Sequence, residues 1–129
     1  METRHKGNIA EAYVIAKLLK LGKTVLIPYG NMERYDIVIN KEDGSFVKGQ
    51  VKTGRYKNGS IIFNVASSNY KGIRRSYIGQ IDVFWVYCSY TEKVYEIPIE
   101  IVPKHDMSLR VEPNKNKKPY KHLAIDFEI

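Results

Sequence analysis

Four polar residues, Glu11, Asp36, Gln50 and Lys52, interrupt the apolar pattern of this chain at places where a core would not favour them. Glu11 precedes Ile15 by four residues and Leu18 by seven, so a helical period turns its carboxylate onto the stripe of Val14, Ile15 and Leu18. Asp36 stands in YDIVIN immediately before an apolar run, although strands are depleted in aspartate. In FVKGQVKTGR, Lys48, Gln50 and Lys52 share one side of a pleated strand, while Val47 and Val51 face the other. Each has an ordinary explanation: a helix rim for Glu11, a turn cap for Asp36, a water-facing strand for the glutamine and lysines. If a helix and two adjacent strands bring them to one point, they would instead hold a hard cation. Magnesium takes oxygen ligands in a near-octahedral shell and is often bound by one or two carboxylates plus substrate phosphate. Lys52 would then lie beside a water at that cation.

The elements that must position these groups follow from periodicity and punctuation. Residues 7–21, GNIAEAYVIAKLLKL, recur apolar at helical spacing and stop at Gly22. KTVLIP is a short strand closed by Pro28, and YDIVIN is a second. KEDG supplies a hairpin turn, so FVKGQVKT pairs antiparallel to YDIVIN, and Asn58-Gly59 turns the chain again into SIIFNVA. SSNYKGIRRSYIGQ is polar, basic and irregular, and is expected at the surface. IDVFWVYC is apolar on both faces, as in a central strand, and KVYEIPIEIV alternates with Pro98 marking an edge. Beyond Pro103 the signals weaken: PNKNKKPYK reads as a basic loop and HLAIDFEI as a short helix or strand. The expectation is one domain over residues 1–129, with its core at about 6–102 and a basic extension over 103–129. The fold class is α/β or α+β, with a long N-terminal helix on a sheet.

Composition narrows the partner. Lysine and arginine number 21 against 14 acids, giving a formal charge of +7. Counterion release from phosphates rewards such an excess, so a nucleic acid is favoured over a neutral ligand. The cations cluster at Lys52, Arg55 and Lys57, at Arg74 and Arg75, and from Lys115 through Lys117 and Lys118 to Lys121. The last run reads first as a solvated tail. Tyr56, Tyr70 and Tyr77 are candidates to lie against sugars or bases, though core or rim positions are the commoner use of tyrosine. The single cysteine, Cys88, excludes an internal disulfide and reads as a core residue. His5, His105 and His122 show no metal-binding spacing, and Asp82 either supports the site or ends a turn. No stretch has the length of a membrane span and the N-terminus lacks a secretory pattern, so the cytoplasm is the expected compartment.

The helical acid, YDIVI at a hairpin, and GQVKTG in the next strand resemble the PD-(D/E)xK nuclease superfamily, with Gln50 in place of the usual second strand acid. The likeness runs from Lys6 to Val102 through NGSIIFNVASSNY, GQIDVFWVYC and KVYEIPIEIV. It is strongest to the small intron-encoded homing endonucleases that also use Gln-x-Lys, with the archaeal Holliday-junction resolving enzymes more distant. Tyr35 stands where the proline of the motif would be.

The resemblance implies a restriction-endonuclease-like mixed sheet of about five to six strands and magnesium-dependent hydrolysis of DNA, with manganese as a substitute. It makes Glu11, Asp36, Gln50 and Lys52 catalytic. Glu11, Asp36, the Gln50 amide oxygen and the Val51 main-chain carbonyl become metal ligands, and Lys52 assists attack on the phosphate. Arg55, Lys57, Arg74 and Arg75, following the site along the chain, are expected to anchor DNA phosphates. One site cuts one strand, so a homo-oligomer, at least a dimer, is expected to act on duplex or branched DNA. The alternatives are a junction-selective resolving nuclease and a relative that binds DNA without cutting it, because the amide removes a full charge from the metal shell.

Overall fold

The computed structural model describes residues 1–30, 32–68, 71–113 and 121–129. Helix α1 spans Thr3–Lys20 and starts four residues earlier than its periodic segment. Ala10, Val14 and Leu18 form its buried stripe, a spacing of one helical turn. Gly22, at φ 78°, accepts the left-handed conformation that ends it. The Lys23 N–H returns to the Leu18 carbonyl and the Gly22 N–H to that of Leu19, a Schellman closure.

Strands β1 (Thr24–Leu26), β2 (Ile37–Asn40), β3 (Phe46–Lys57) and β4 (Ser60–Asn64) follow in antiparallel succession. Asn58 and Gly59, at φ 52° and 79°, make the tight turn between β3 and β4. Strands β5 (Ala66–Ser68) and β6 (Arg74–Ser76) form a separate two-stranded ribbon. The irregular segment of the sequence is therefore partly ordered as a hairpin. β7 (Val83–Cys88) runs parallel to β3, and β8 (Lys93–Pro98) lies antiparallel at its outer edge. β9 (Asp106–Arg110) pairs with β4, completing a seven-stranded sheet, one strand more than the expected range.

Two apolar layers flank β7. Trp85 and Tyr87 pack with Ala10, Val14 and Leu18 of α1 and with Ile37 and Ile39. Phe84, Val86 and Cys88 face the other way, into a cluster with Ile61, Phe63, Tyr95 and Ile97. Met107, Leu109 and Ala124 belong to that second cluster, so the core extends past the boundary expected at residue 102. The carboxy-terminal segment is stitched to the β8 edge, where the Glu96 N–H donates to the Phe127 carbonyl and the Ile129 N–H to that of Val94. No helix among the described residues is long and apolar enough to cross a membrane.

Strand β3 organises everything near the four polar residues. β2 pairs with it only over Phe46–Gly49, and β4 only over Arg55–Lys57. Between them, β7 occupies one edge of β3 from Gly49 to Gly54. A strand has two edges, so among the described residues no strand lies on the opposite edge over residues 50–54, leaving a gap in the ladder. Gly49 holds β3 close against β7, since a Cβ there would fall 2.2 Å from the Trp85 ring.

Candidate active site at the open edge of β3

Asp36 lies one residue before β2 begins, and its carboxylate fills part of the gap. Its backbone N–H donates to the Gly49 carbonyl at 2.9 Å, while its Oδ2 accepts from the Val51 N–H at 2.9 Å. An extended residue directs its N–H and C=O toward the same edge, so the Val51 carbonyl shares that edge with Asp36. The Val51 side chain itself packs on the α1 layer, which sends Gln50 and Lys52 to the opposite face.

Glu11 approaches from α1, half-buried on the same helix as Val14 and Leu18. Burial raises its pKa, and the nearby charge of Asp36 raises it further. Asp36 is itself raised by burial, opposed by the Val51 hydrogen bond and by the ammonium of Lys52. Lys52 arrives from the other face, where burial lowers its pKa, Asp36 raises it and Arg34 lowers it. Asp36 is thus coupled both to the helix acid and to the strand lysine. Gln50 is half-buried on β3 between Gly49 and Val51.

The oxygens that could hold a cation here are hard: the Glu11 and Asp36 carboxylates, whose repulsion a cation between them would relieve, and the Val51 main-chain carbonyl, with the Gln50 amide on the opposite face of β3. Magnesium suits that set. Among the described residues no group of three or more His, Cys, Asp or Glu gathers to hold a metal, so the amide of Gln50 has no third acid to replace it.

Arg34 is a neighbour that the sequence did not announce. It lies two residues before Asp36, and its Nε donates to Gln80 Oε1 at 2.6 Å and its Nη1 to Ser67 Oγ at 2.6 Å. Its Cζ stands 3.9 Å from the centroid of the Tyr77 ring, and Lys52 Nζ lies 5.0 Å from the same centroid. An arginine in a polar loop breaks no local rule, and only its partners reveal its use. Tyr77 is buried, so the expectation that it could meet sugars or bases gives way to a core role beneath two cations. Tyr56 is half-buried and stacked on Tyr90 at 3.9 Å between centroids. Asp82 is a strand-end fastener: its Oδ2 accepts from the Lys48 N–H at 2.8 Å, and its N–H donates to the Lys48 carbonyl at 2.8 Å.

The expected phosphate anchors Arg55, Lys57, Arg74 and Arg75 are all exposed. Arg55 borders a cleft with Thr3 and Lys6 at the start of α1, whereas Arg74 and Arg75 lie on the ribbon. Tyr70 and the lysines 115, 117 and 118 lie outside the described residues; Lys121 is exposed.

With this geometry in place, comparison with known proteins assigns the chain. The family model of PD-(D/E)XK endonucleases matches residues 1–129. No curated protein matches the chain. Among solved structures, the bacterial homing endonuclease I-Ssp6803I aligns with a TM-score of 0.80 and 26% identity, over 99% of this chain and 89% of that one. The α+β architecture, with one N-terminal helix on a mostly antiparallel sheet, is the restriction-endonuclease-like fold. The chain belongs to the PD-(D/E)XK endonuclease family.

Proposed function

We propose that this nuclease is a magnesium-dependent DNA endonuclease whose site is the gap in the β3 ladder. The observation that carries the reading is the Asp36 carboxylate seated on the Val51 N–H at an edge without a strand, coupled to Glu11 on one side and Lys52 on the other. Asp36, Glu11, the Gln50 amide oxygen and the Val51 carbonyl would hold the cation, with manganese able to replace magnesium. When bound, that cation supplies charge stabilisation at the phosphate and a water of lowered pKa.

The residues of the chain then have separable tasks. Asp36 is preoriented by its hydrogen bond, so it need not give up freedom when the substrate binds. Lys52, partly desolvated, directs its ammonium at the charge that grows on the phosphate oxygens, where a fixed cation is worth more than in water. Burial and Arg34 lower its pKa, whereas Asp36 and an incoming phosphate favour the charged form, so its proposed role is electrostatic rather than that of a general base. Gln50 gives one neutral oxygen where a carboxylate would give a charged one, so cation binding leans more heavily on substrate phosphate. Arg55, Lys57, Arg74 and Arg75 anchor phosphates away from the reacting one. A homodimer in the cytoplasm, cutting one strand per subunit, completes the reading.

The test is incubation with supercoiled plasmid, linear duplex and a synthetic four-way junction, each with magnesium and with EDTA. Magnesium-dependent nicking or linearisation is the expected result. Cutting of the junction alone would redirect the reading to a resolving nuclease, and binding of all three without product would leave a DNA-binding relative.

A further inference from the structure

The ribbon of β5 and β6 stands apart from the seven-stranded sheet, with three residues in each strand and β6 exposed along its length. A two-stranded hairpin of that size is marginal by itself. Its ends are anchored, since Ala66 and Tyr77 are buried, but burial at the base does not set its inclination. Arg34 does. Besides its bonds to Gln80 and Ser67, its Nη2 donates to the Ser76 carbonyl at 3.0 Å and the Arg75 carbonyl at 3.3 Å. Its plane lies on Tyr77, and Ser67 Oγ donates in turn to the Arg75 carbonyl at 3.3 Å.

Every one of these acceptors is neutral, so the bonds fix direction and do not neutralise the guanidinium. Only a planar fork can hold separate acceptors while stacking on an aromatic ring; an ammonium cannot do both. All four acceptors belong to residues 67–80, whereas Arg34 itself is two residues from Asp36. The ribbon and the Asp36 loop are therefore one mechanical unit.

We propose that Arg34 is a positioning residue that locks the β5–β6 ribbon to the Asp36 loop and so sets which phosphodiester reaches the site. This rests on the nuclease reading above. Arg74 and Arg75 hold phosphates on the ribbon, and their distance from Asp36 is a ruler. Phosphates along one DNA strand advance by about 3.4 Å of axial rise, so a ribbon displaced by that amount moves the substrate by one register.

The test compares wild type with Arg34→Lys, which keeps the charge, and with Ser67→Ala. Hydrogen exchange at the β5 and β6 amides should accelerate by roughly tenfold in both variants while β7 stays unchanged. Cleavage of an end-labelled substrate should spread from one dominant phosphodiester to its neighbours, with DNA affinity within about threefold of wild type. General destabilisation would lower the active fraction without moving the cut. Unchanged ribbon exchange, an unchanged single cut position, or a wild type that already cuts at many positions would each overturn the proposal. If wild type cuts nothing, the nuclease reading fails separately, and the register is read from a hydroxyl-radical footprint of bound duplex: sharp edges in wild type that blur in Arg34→Lys support the lock, and edges in Arg34→Lys as sharp as those of wild type refute it.

Discussion

At Asp36 folding and function pull in opposite directions. Burial holds its pKa above the ordinary 3.8, and Glu11 is raised beside it by burial and by Asp36 itself. Between the ordinary and the raised value the folded chain binds more protons than the unfolded one, so stability falls as pH rises through that window. Asp36→Asn keeps an acceptor for the Val51 N–H and removes the charge. In metal-free buffer it should therefore melt above wild type near neutral pH, with the difference closing as pH falls below 3.8; melting curves across pH check this, and a lower neutral melting point would contradict it. Gln50→Glu adds the missing charge and should tighten magnesium by about tenfold in calorimetric titration, whereas unchanged affinity would place residue 50 outside the cation shell. Glu11, Asp36, Gln50 and Lys52 stood out in the sequence as polar residues set into apolar patterns, with Asp36 just ahead of β2. Arg34 was not, since its meaning lies entirely in partners 33 to 46 residues away.

At the scale of elements, the strand that carries Gln50 and Lys52 is set by what its glycines omit. Gly49 faces the Trp85 ring so closely that a methyl group would have to displace it. Gly49→Ala should cost about 1–3 kcal/mol by overpacking and shift β3 away from β7, which thermal unfolding would detect; a neutral effect would mean that Trp85 moves freely. The helix, the Asn58-Gly59 turn and the buried central strand were readable because each carries a strong local signal: an apolar stripe at helical spacing, Asn-Gly, or an unbroken apolar run. β9 escaped notice because it turns only Met107 and Leu109 inward, between polar neighbours. The ribbon escaped because β6 buries nothing, so no alternation marks it. Elements held by long-range pairing rather than by their own amphipathicity leave little trace in sequence.

For the molecule as a whole, the excess of seven positive charges and the open site describe a surface made for a polyanion. DNA binding should weaken steeply with salt, and replacing Arg55, Lys57, Arg74 or Arg75 singly by alanine should lower the slope of log affinity against log salt by about one if that residue neutralises a phosphate. An unchanged slope would remove the residue from the contact surface. All of this depends on the proposed cation site at the β3 edge. The most direct measurement is the single-turnover rate of magnesium-dependent nicking of supercoiled plasmid by Asp36→Asn beside wild type. A fall of about a thousandfold, equivalent to about 4 kcal/mol of lost transition-state stabilisation, is the result predicted here. Nicking at the wild-type rate would contradict it.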